Sequence, residues 1–212
     1  MLQFIETICY ENGGFQRITL HEERMNRTRI HFFGTTDRLS LENALTCYLA
    51  GFPPLSGFQS TNFQATNQKL KCRVTYSQTI ENIEFESYMP KVIQSLQLVY
   101  DDIIEYCYKY KDRSALNALL GKRGSADEIL IVKNGLITDT SYSNVVFLRD
   151  GKWYTPETPL LPGTRRAFYL QDRLIFPLNI KPEEIGQFEE VRLINSMLSL
   201  EEALPIKTDC IF

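Results

Sequence analysis

Residues 127–166 read DEILIVKNGLITDTSYSNVVFLRDGKWYTPETPLLPGTRR, and they carry the strongest structural signals in the chain. Ile129–Val132 is a continuous apolar run of strand length, which is typical of a strand buried on both faces. Asn134-Gly135 follows, a pair that tolerates positive φ at both central positions of a tight turn. A second apolar run, Val145–Leu148, ends at Asp150-Gly151, another hairpin signal. The stretch therefore predicts successive hairpins with buried strands.

A polar insert, TDTSYSN at residues 138–144, lies between the two apolar runs. It is too polar for a core and too short for a free linker. Polar groups at places where strands enter and leave a core are normally hydrogen-bonded, and often they bind a ligand. The insert is therefore predicted to belong to a functional site.

The residues before this stretch alternate between apolar and polar side chains, as half-buried strands do. Leu70–Tyr76 alternates throughout and predicts a strand. Further strands are predicted at Phe4–Tyr10, Ile83–Tyr88, Ile93–Tyr100 and Ile103–Tyr110. Helical spacing predicts a helix over about Leu39–Ala50, and the acidic-then-basic order of charges from His21 onward suits another.

The pattern becomes helical after Asp112, which is a good N-cap residue for a helix over Arg113–Leu120. A helix from about Thr164 to Leu174 and a last strand at Val191–Ile194 follow, whereas Pro53–Asn67 is predicted to be a polar loop. We place one domain boundary before the 113–120 helix. An N-terminal α/β domain then covers residues 1–107, and a C-terminal domain covers residues 108–212.

The composition excludes several classes of protein. The net charge of the 212-residue chain is −3, and no run of like charges suggests a nucleic-acid or membrane partner. Its five cysteines are scattered and form no C-x-x-C pair, which favours a reducing compartment, the cytoplasm, over a disulfide framework or a zinc site. We see no signal peptide and no apolar segment of membrane-spanning length.

The motifs from Gly135 to Arg166 resemble the signature of the class IV aminotransferase family. They are GLITDTSYSNVVF, then YTP, then LLPGTRR. This family consists of fold-type IV pyridoxal-phosphate enzymes, among them branched-chain and D-amino-acid aminotransferases and aminodeoxychorismate lyase. Its usual form has Glu where this chain has Asp139, five residues before the position of Asn144. The resemblance extends from about Phe4 to the C-terminus.

This resemblance implies an α/β (α+β) fold with two domains, a strand-rich N-terminal sheet domain and a pseudo-barrel-like C-terminal domain that binds the cofactor. It implies pyridoxal 5'-phosphate as the cofactor and an amino-acid-like small molecule as the substrate. It also implies that a homodimer completes the site.

The covalent lysine of such an enzyme has two candidates, Lys109 and Lys111. In a strand both side chains point to the same side, so alternation does not distinguish them. Lyase-like members of the family have Lys-x-x-x-Arg at the domain junction, and Lys109 with Arg113 reproduces this spacing. The resemblance therefore favours Lys109 as the catalytic residue.

The resemblance also implies the cofactor-binding residues. Asp139 matches the acid beside the pyridine nitrogen, where a carboxylate keeps the nitrogen protonated. Arg24, in a His-x-x-Arg motif, matches the phosphate-binding arginine. Asn144 is expected to hold the cofactor strand in place. The remaining phosphate donors are expected to be Gly163 and Thr164 at a helix start and Ser196 in a late loop.

Arg113 and Thr7 are the expected substrate-side residues. The resemblance favours a lyase similar to aminodeoxychorismate lyase, which forms 4-aminobenzoate and pyruvate from 4-amino-4-deoxychorismate in folate biosynthesis. Transaminases of the family tend to have Asn-Tyr after the lysine, where this chain has Arg113-Ser114. A branched-chain or D-amino-acid aminotransferase is the alternative, and a protein that keeps the fold without catalysis is a third hypothesis.

Overall fold

The structure is a computed structural model that describes residues 2–51 and 69–212. The predicted loop at Pro53–Asn67 lies outside the described residues. By its internal contacts the chain divides into two compact units. Met1–Met89 and Tyr108–Asp112 form the first unit, and Pro90–Cys107 and Arg113–Phe212 form the second.

The first unit contains an antiparallel sheet with the strand order β2-β1-β3-β4, together with two helices in its described part. Its elements are β1 (Phe4–Glu11), β2 (Gly14–Phe15), α1 (Ile18–Phe33), α2 (Leu41–Leu49), β3 (Leu70–Tyr76) and β4 (Ile80–Ser87). The first helix begins earlier than the charge pattern from His21 indicates, because Arg17 takes a left-handed conformation with φ 54° and ends the preceding turn.

One face of β1 forms the core of the first unit. Phe4 and Ile8 are fully buried, and they pack with Met25 of α1 and with Leu45 of α2. Because side chains alternate along a strand, Glu6 has the same phase as Phe4 and Ile8. A carboxylate is thereby placed on the apolar face of the sheet.

The second unit contains two sheets, with strand orders β10-β9-β8-β11 and β5-β6-β7. Its elements are β5 (Leu96–Tyr100), α3 (Ser114–Leu120), β6 (Glu128–Lys133), β7 (Leu136–Ile137), β8 (Asn144–Arg149), β9 (Lys152–Pro156), α4 (Thr164–Gln171), β10 (Phe176–Leu178) and β11 (Glu190–Ile194). Two short 3-10 helices lie at Pro182–Gln187 and Thr208–Cys210.

The predicted hairpins are confirmed. Ile129–Val132 lies in β6 and has no exposed surface. Asn134 and Gly135 have φ values of 52° and 73°, and Asp150 and Gly151 have φ values of 51° and 69°. Both turns therefore use the positive φ that their residue types permit. Leu130, Val145 and Phe147 belong to one apolar core cluster of this unit.

The strand predicted at Ile103–Tyr110 is wrong. The Asp101 carboxylate accepts hydrogen bonds from the backbone N–H groups of Ile103 and Ile104, and this turn stops the ladder that β5 forms with β6. Burial still alternates, since Ile104 and Tyr106 are buried while Ile103 is 87% exposed. The alternation correctly indicated which side chains are buried. Within residues 2–51 and 69–212, however, this segment pairs with a strand only through the single bridge at Tyr110.

Two helix ends also differ from the prediction. The N-cap of α3 is Arg113 and not Asp112, and no side chain caps it. The last helix ends at Gln171 rather than near Leu174, because Arg173 adopts φ 57° and Leu174 N–H bonds back to Tyr169 O. A left-handed residue of this kind terminates a helix.

The division into units differs from a single boundary after Cys107. The Lys109 carbonyl accepts a hydrogen bond from Ile5 N–H at 2.9 Å, and Lys111 N–H donates to the Gln3 carbonyl at 2.9 Å, so this segment pairs with the first unit. The residues before it belong to the second unit because β5 pairs with β6. Both candidate lysines therefore lie in the first unit.

Among the residues that the structure describes, none of the helices combines the length and apolarity needed to cross a membrane.

Candidate active site

Asp139 lies in the polar insert between β7 and β8, where it forms an antiparallel bridge with Asn144. Its side chain is buried, and its two oxygens accept hydrogen bonds from Asn144 Nδ2 at 2.7 Å and from Leu161 N–H at 2.8 Å. Burial raises the pKa of Asp139 to about 6, although both hydrogen bonds and the nearby Arg166 charge oppose this shift. A buried carboxylate in this state is poised to accept a cationic donor.

Asn144 joins the insert to the loop before α4. Its Nδ2 donates to Asp139 and also to the Leu161 carbonyl at 2.9 Å. A Cβ atom at Gly163 would lie 2.1 Å from Asn144 Oδ1, so only glycine permits this close approach. Gly163 is the N-cap of α4, and Thr164 is its first, buried residue.

The late loop after β11 contacts the same region. Asn195 Nδ2 donates to Ser143 Oγ at 2.9 Å, and Asn195 Oδ1 accepts from the N–H groups of Met197 and Leu198. Arg165, in the first turn of α4, donates to the carbonyls of Asn195 and Ser196 at 2.7 and 3.2 Å. Within the second unit, hydrogen bonds thus connect Asp139 with Asn144, and Arg165 in the first turn of α4 with Ser196. Gly163 lies close to the Asn144 side chain.

Arg165 and Arg166 are two buried arginines near this region to which the sequence assigned no role. Arg166 Nη2 donates to the Pro156 carbonyl at 2.7 Å, and burial lowers the pKa of Arg166, against the effect of Asp139. Their position in the first turn of a predicted helix could have indicated a specific role, since an arginine there is unfavourable next to the helix dipole.

A second buried carboxylate supports the polar insert. Glu128 accepts hydrogen bonds from Ser141 Oγ at 3.0 Å and from the N–H groups of Ser141 and Ile129. Arg113 Nη2 donates to the Ser141 carbonyl at 2.7 Å. Both residues therefore fix the turn that follows Asp139, and the sequence reasoning had assigned no role to Glu128.

The first unit contains a separate buried polar cluster. Arg24 Nε and Nη2 donate to the two oxygens of Glu6 at 2.9 and 2.5 Å, and His21 Nδ1 lies 2.6 Å from Glu6 Oε2. All three residues are buried, so Arg24 is not a solvated helix-surface arginine. Although burial acts to raise it, the Arg24 charge and the bonds from His21 and Arg24 lower the pKa of Glu6 to about 2.

The two candidate lysines have different surroundings. Lys109 is half-buried, whereas Lys111 is exposed and donates through Nζ to Gln3 Oε1 at 2.9 Å. Tyr108 and Tyr110 pack against the core of the first unit. Thr7 is half-buried and is paired in register with Arg73.

The family profile described as amino-transferase class IV matches residues 108–207. An uncharacterized protein of Haemophilus influenzae is 38% identical over 200 residues, which cover 94% of this chain and 100% of that protein. Among solved structures, a candidate 4-amino-4-deoxychorismate lyase from Haemophilus somnus is 30% identical, with a TM-score of 0.82 and coverage of 93% of this chain and 97% of that one.

A candidate amino-acid aminotransferase from Mesorhizobium loti shares the fold over 100% of both chains at 19% identity, with a TM-score of 0.77. The predicted fold and family are thereby confirmed. The chain belongs to the class IV aminotransferase family, the pyridoxal-phosphate enzymes of fold-type IV.

Proposed function

We propose that this enzyme is a pyridoxal-phosphate-dependent lyase that converts 4-amino-4-deoxychorismate to 4-aminobenzoate and pyruvate, a step of folate biosynthesis. The observation that carries the cofactor chemistry is the buried Asp139 carboxylate between Asn144 and Leu161 N–H. The lyase reaction is supported by the Lys109-x-x-x-Arg113 spacing and by the 30% identity to the candidate lyase of Haemophilus somnus.

The residues of the polar insert fit the pyridine ring of this cofactor. Burial leaves the Asp139 carboxylate with a raised pKa, near 6, in spite of two hydrogen bonds, so its anionic form is incompletely stabilised. A protonated ring nitrogen would supply the missing cationic donor. When bound, the cofactor supplies an electron sink for charge at the substrate α-carbon.

The phosphate group is proposed to be bound by Thr164, Ser196 and Arg24. Thr164 begins α4, and the start of a helix attracts anions through its backbone N–H groups and its dipole. Ser196 lies in the loop that Arg165 fixes to the start of the same helix. Arg24 is proposed to contribute the charged donor, because a guanidinium binds phosphate oxygens bidentately.

Lys109 is proposed to bind the cofactor through Nζ and to act as the base. Its neutral Nζ would remove the proton from the substrate α-carbon and later return a proton to the released three-carbon unit. Arg113, which fixes Ser141, and Thr7 are proposed to orient the substrate. We further place the enzyme in the cytoplasm as a homodimer, in keeping with its five free cysteines and with the family.

The test couples an enzymatic source of 4-amino-4-deoxychorismate to pyruvate detection, in parallel with a transaminase screen over L- and D-amino acids. We expect pyruvate release with little amino transfer to 2-oxo acids. Lys109→Ala should abolish the release and the visible absorption band of the bound cofactor, whereas the matched variant Lys111→Ala should keep both. Turnover of leucine, valine or D-alanine without pyruvate from the lyase substrate would overturn the lyase reaction, and purified protein without cofactor absorption would overturn the enzyme proposal.

A further inference from the structure

Two buried arginines lie in α1, and they have different kinds of partner. Arg29 donates to the carbonyls of Gln78 and Asp37, to Asn26 Oδ1 and to both oxygens of the Asp37 carboxylate, so its bonds tie α1 to the neighbouring loops. Arg24 instead donates to a fully buried carboxylate, that of Glu6 on the central strand β1.

Two side chains hold the Glu6 carboxylate through three polar contacts. Both of its oxygens accept from Arg24, and Oε2 also lies 2.6 Å from His21 Nδ1. Burial lowers the pKa of His21 despite the opposing effect of Glu6, and the 2.6 Å distance places Nδ1 as a hydrogen-bond partner of the carboxylate. The charges of Glu6 and Arg24 compensate each other.

Bidentate pairing restricts the orientation of a guanidinium, because two parallel bonds fix its plane as well as its position. The backbone of Glu6 is itself fixed, since it pairs with Val74 in the register of β1 and β3. A flexible arginine would lose its rotational freedom when it binds an anion, whereas an arginine that is already fixed loses little.

We propose that Glu6 is a positioning residue that orients the Arg24 guanidinium before the phosphate group of the cofactor binds, with His21 fixing the carboxylate. This inference rests on the proposed role of Arg24 in phosphate binding. We therefore expect the Arg24 side chain to be rigid already in the cofactor-free protein. We also expect the geometry of Glu6 to control how strongly the phosphate group contributes to cofactor binding.

The first test uses the wild-type protein and needs no variant. In 15N relaxation and hydrogen-exchange measurements on the cofactor-free protein, the Arg24 Nε–H group should be rigid and protected, and it should change little when pyridoxal phosphate is added. Arg27, exposed on the same helix, is the mobile control. An Arg24 Nε–H that is as mobile as that of Arg27, and becomes ordered only with cofactor, would overturn the inference.

The second test measures the ratio of the dissociation constants of pyridoxal and pyridoxal phosphate, which reports the contribution of the phosphate group. Glu6→Asp keeps the charge but withdraws the carboxylate by one methylene, so we expect the ratio to fall by about tenfold. Asp37→Asn is the matched control, because it removes a carboxylate from the other buried arginine of α1. It should leave the ratio unchanged. If Glu6→Asp does not fold, the wild-type measurement decides alone.

Arg24→Ala separates this inference from the proposal on which it rests. A ratio that Arg24→Ala leaves unchanged would remove Arg24 from the phosphate site and the positioning role of Glu6 with it. A ratio that falls well over tenfold in Arg24→Ala, but not in Glu6→Asp, would refute only the positioning role and leave the phosphate role of Arg24 standing.

Discussion

The burial of Asp139 determines the pH at which its side chain becomes charged. Its pKa is raised to about 6 by burial, above the value of 3.8 expected in the unfolded chain. Between these two pH values the folded protein binds more protons than the unfolded chain does, so the free energy of unfolding decreases as the pH rises. Above about pH 6 the full penalty of the buried charge is present.

We therefore predict that Asp139→Asn removes this part of the pH dependence in the cofactor-free protein. Between about pH 4 and 6 the free energy of unfolding of the wild type should fall, relative to the variant, by at most about 3 kcal/mol. Urea unfolding over pH 4–7 measures this difference. Asp150→Asn, which removes an exposed carboxylate from a hairpin turn, is the control and should follow the wild type. Parallel curves for the wild type and Asp139→Asn would contradict the raised pKa.

Glu6 illustrates why the partner of a buried residue could not be assigned from the sequence. An acidic residue in an alternating strand is ordinarily assigned to the solvent face. Its phase, shared with the core residues Phe4 and Ile8, was the available signal. That signal could not name the partner, because Arg24 lies 18 residues away on a helix whose approach depends on tertiary packing.

The polar insert constrains the start of α4 through the side chain of Asn144. Gly163 has φ −69° and ψ 149°, a conformation open to any residue, so the requirement for glycine comes from the approach of Asn144 and not from the backbone. The Asn144 side chain cannot move freely, because it donates to both Asp139 and Leu161.

We predict that Gly163→Ala displaces Asn144 and destabilises the protein by roughly 1–3 kcal/mol, as overpacking of a close contact does. The affinity for pyridoxal phosphate should also decrease, because Asp139 loses a fixed donor. Thermal unfolding and cofactor titration measure these effects. Gly186→Ala is the matched control, since a Cβ at Gly186 meets no atom within 4 Å. Equal behaviour of the two variants would show that the start of α4 tolerates a side chain.

The elements also show which local patterns determine structure. The Asn134-Gly135 and Asp150-Gly151 turns formed as predicted, because their φ requirements are local. The segment Ile103–Tyr110 did not form a strand even though its burial alternates, because a ladder needs a neighbouring strand as well as a pattern. Periodicity therefore indicated the buried side chains here but not the hydrogen bonding.

For the whole molecule, local pattern and family resemblance contributed different parts of the prediction. The buried run of β6 and the alternation of β3 could be predicted from residue types alone. The roles of Asp139 and Lys109 could not, since an isolated aspartate or lysine has no chemical identity without its neighbours. Only the resemblance singled them out, and the structure then placed Asp139 in a buried, hydrogen-bonded setting.

The choice between Lys109 and Lys111 is the most direct test of the proposed chemistry. Borohydride reduction of the purified enzyme, followed by peptide mapping, attaches the cofactor permanently to the lysine that holds it. We predict the label on Lys109, retained in Lys111→Arg and lost in Lys109→Arg, because Lys111 is exposed and bound to Gln3. A label on Lys111, or no labelled lysine at all, would contradict the proposed covalent role of Lys109.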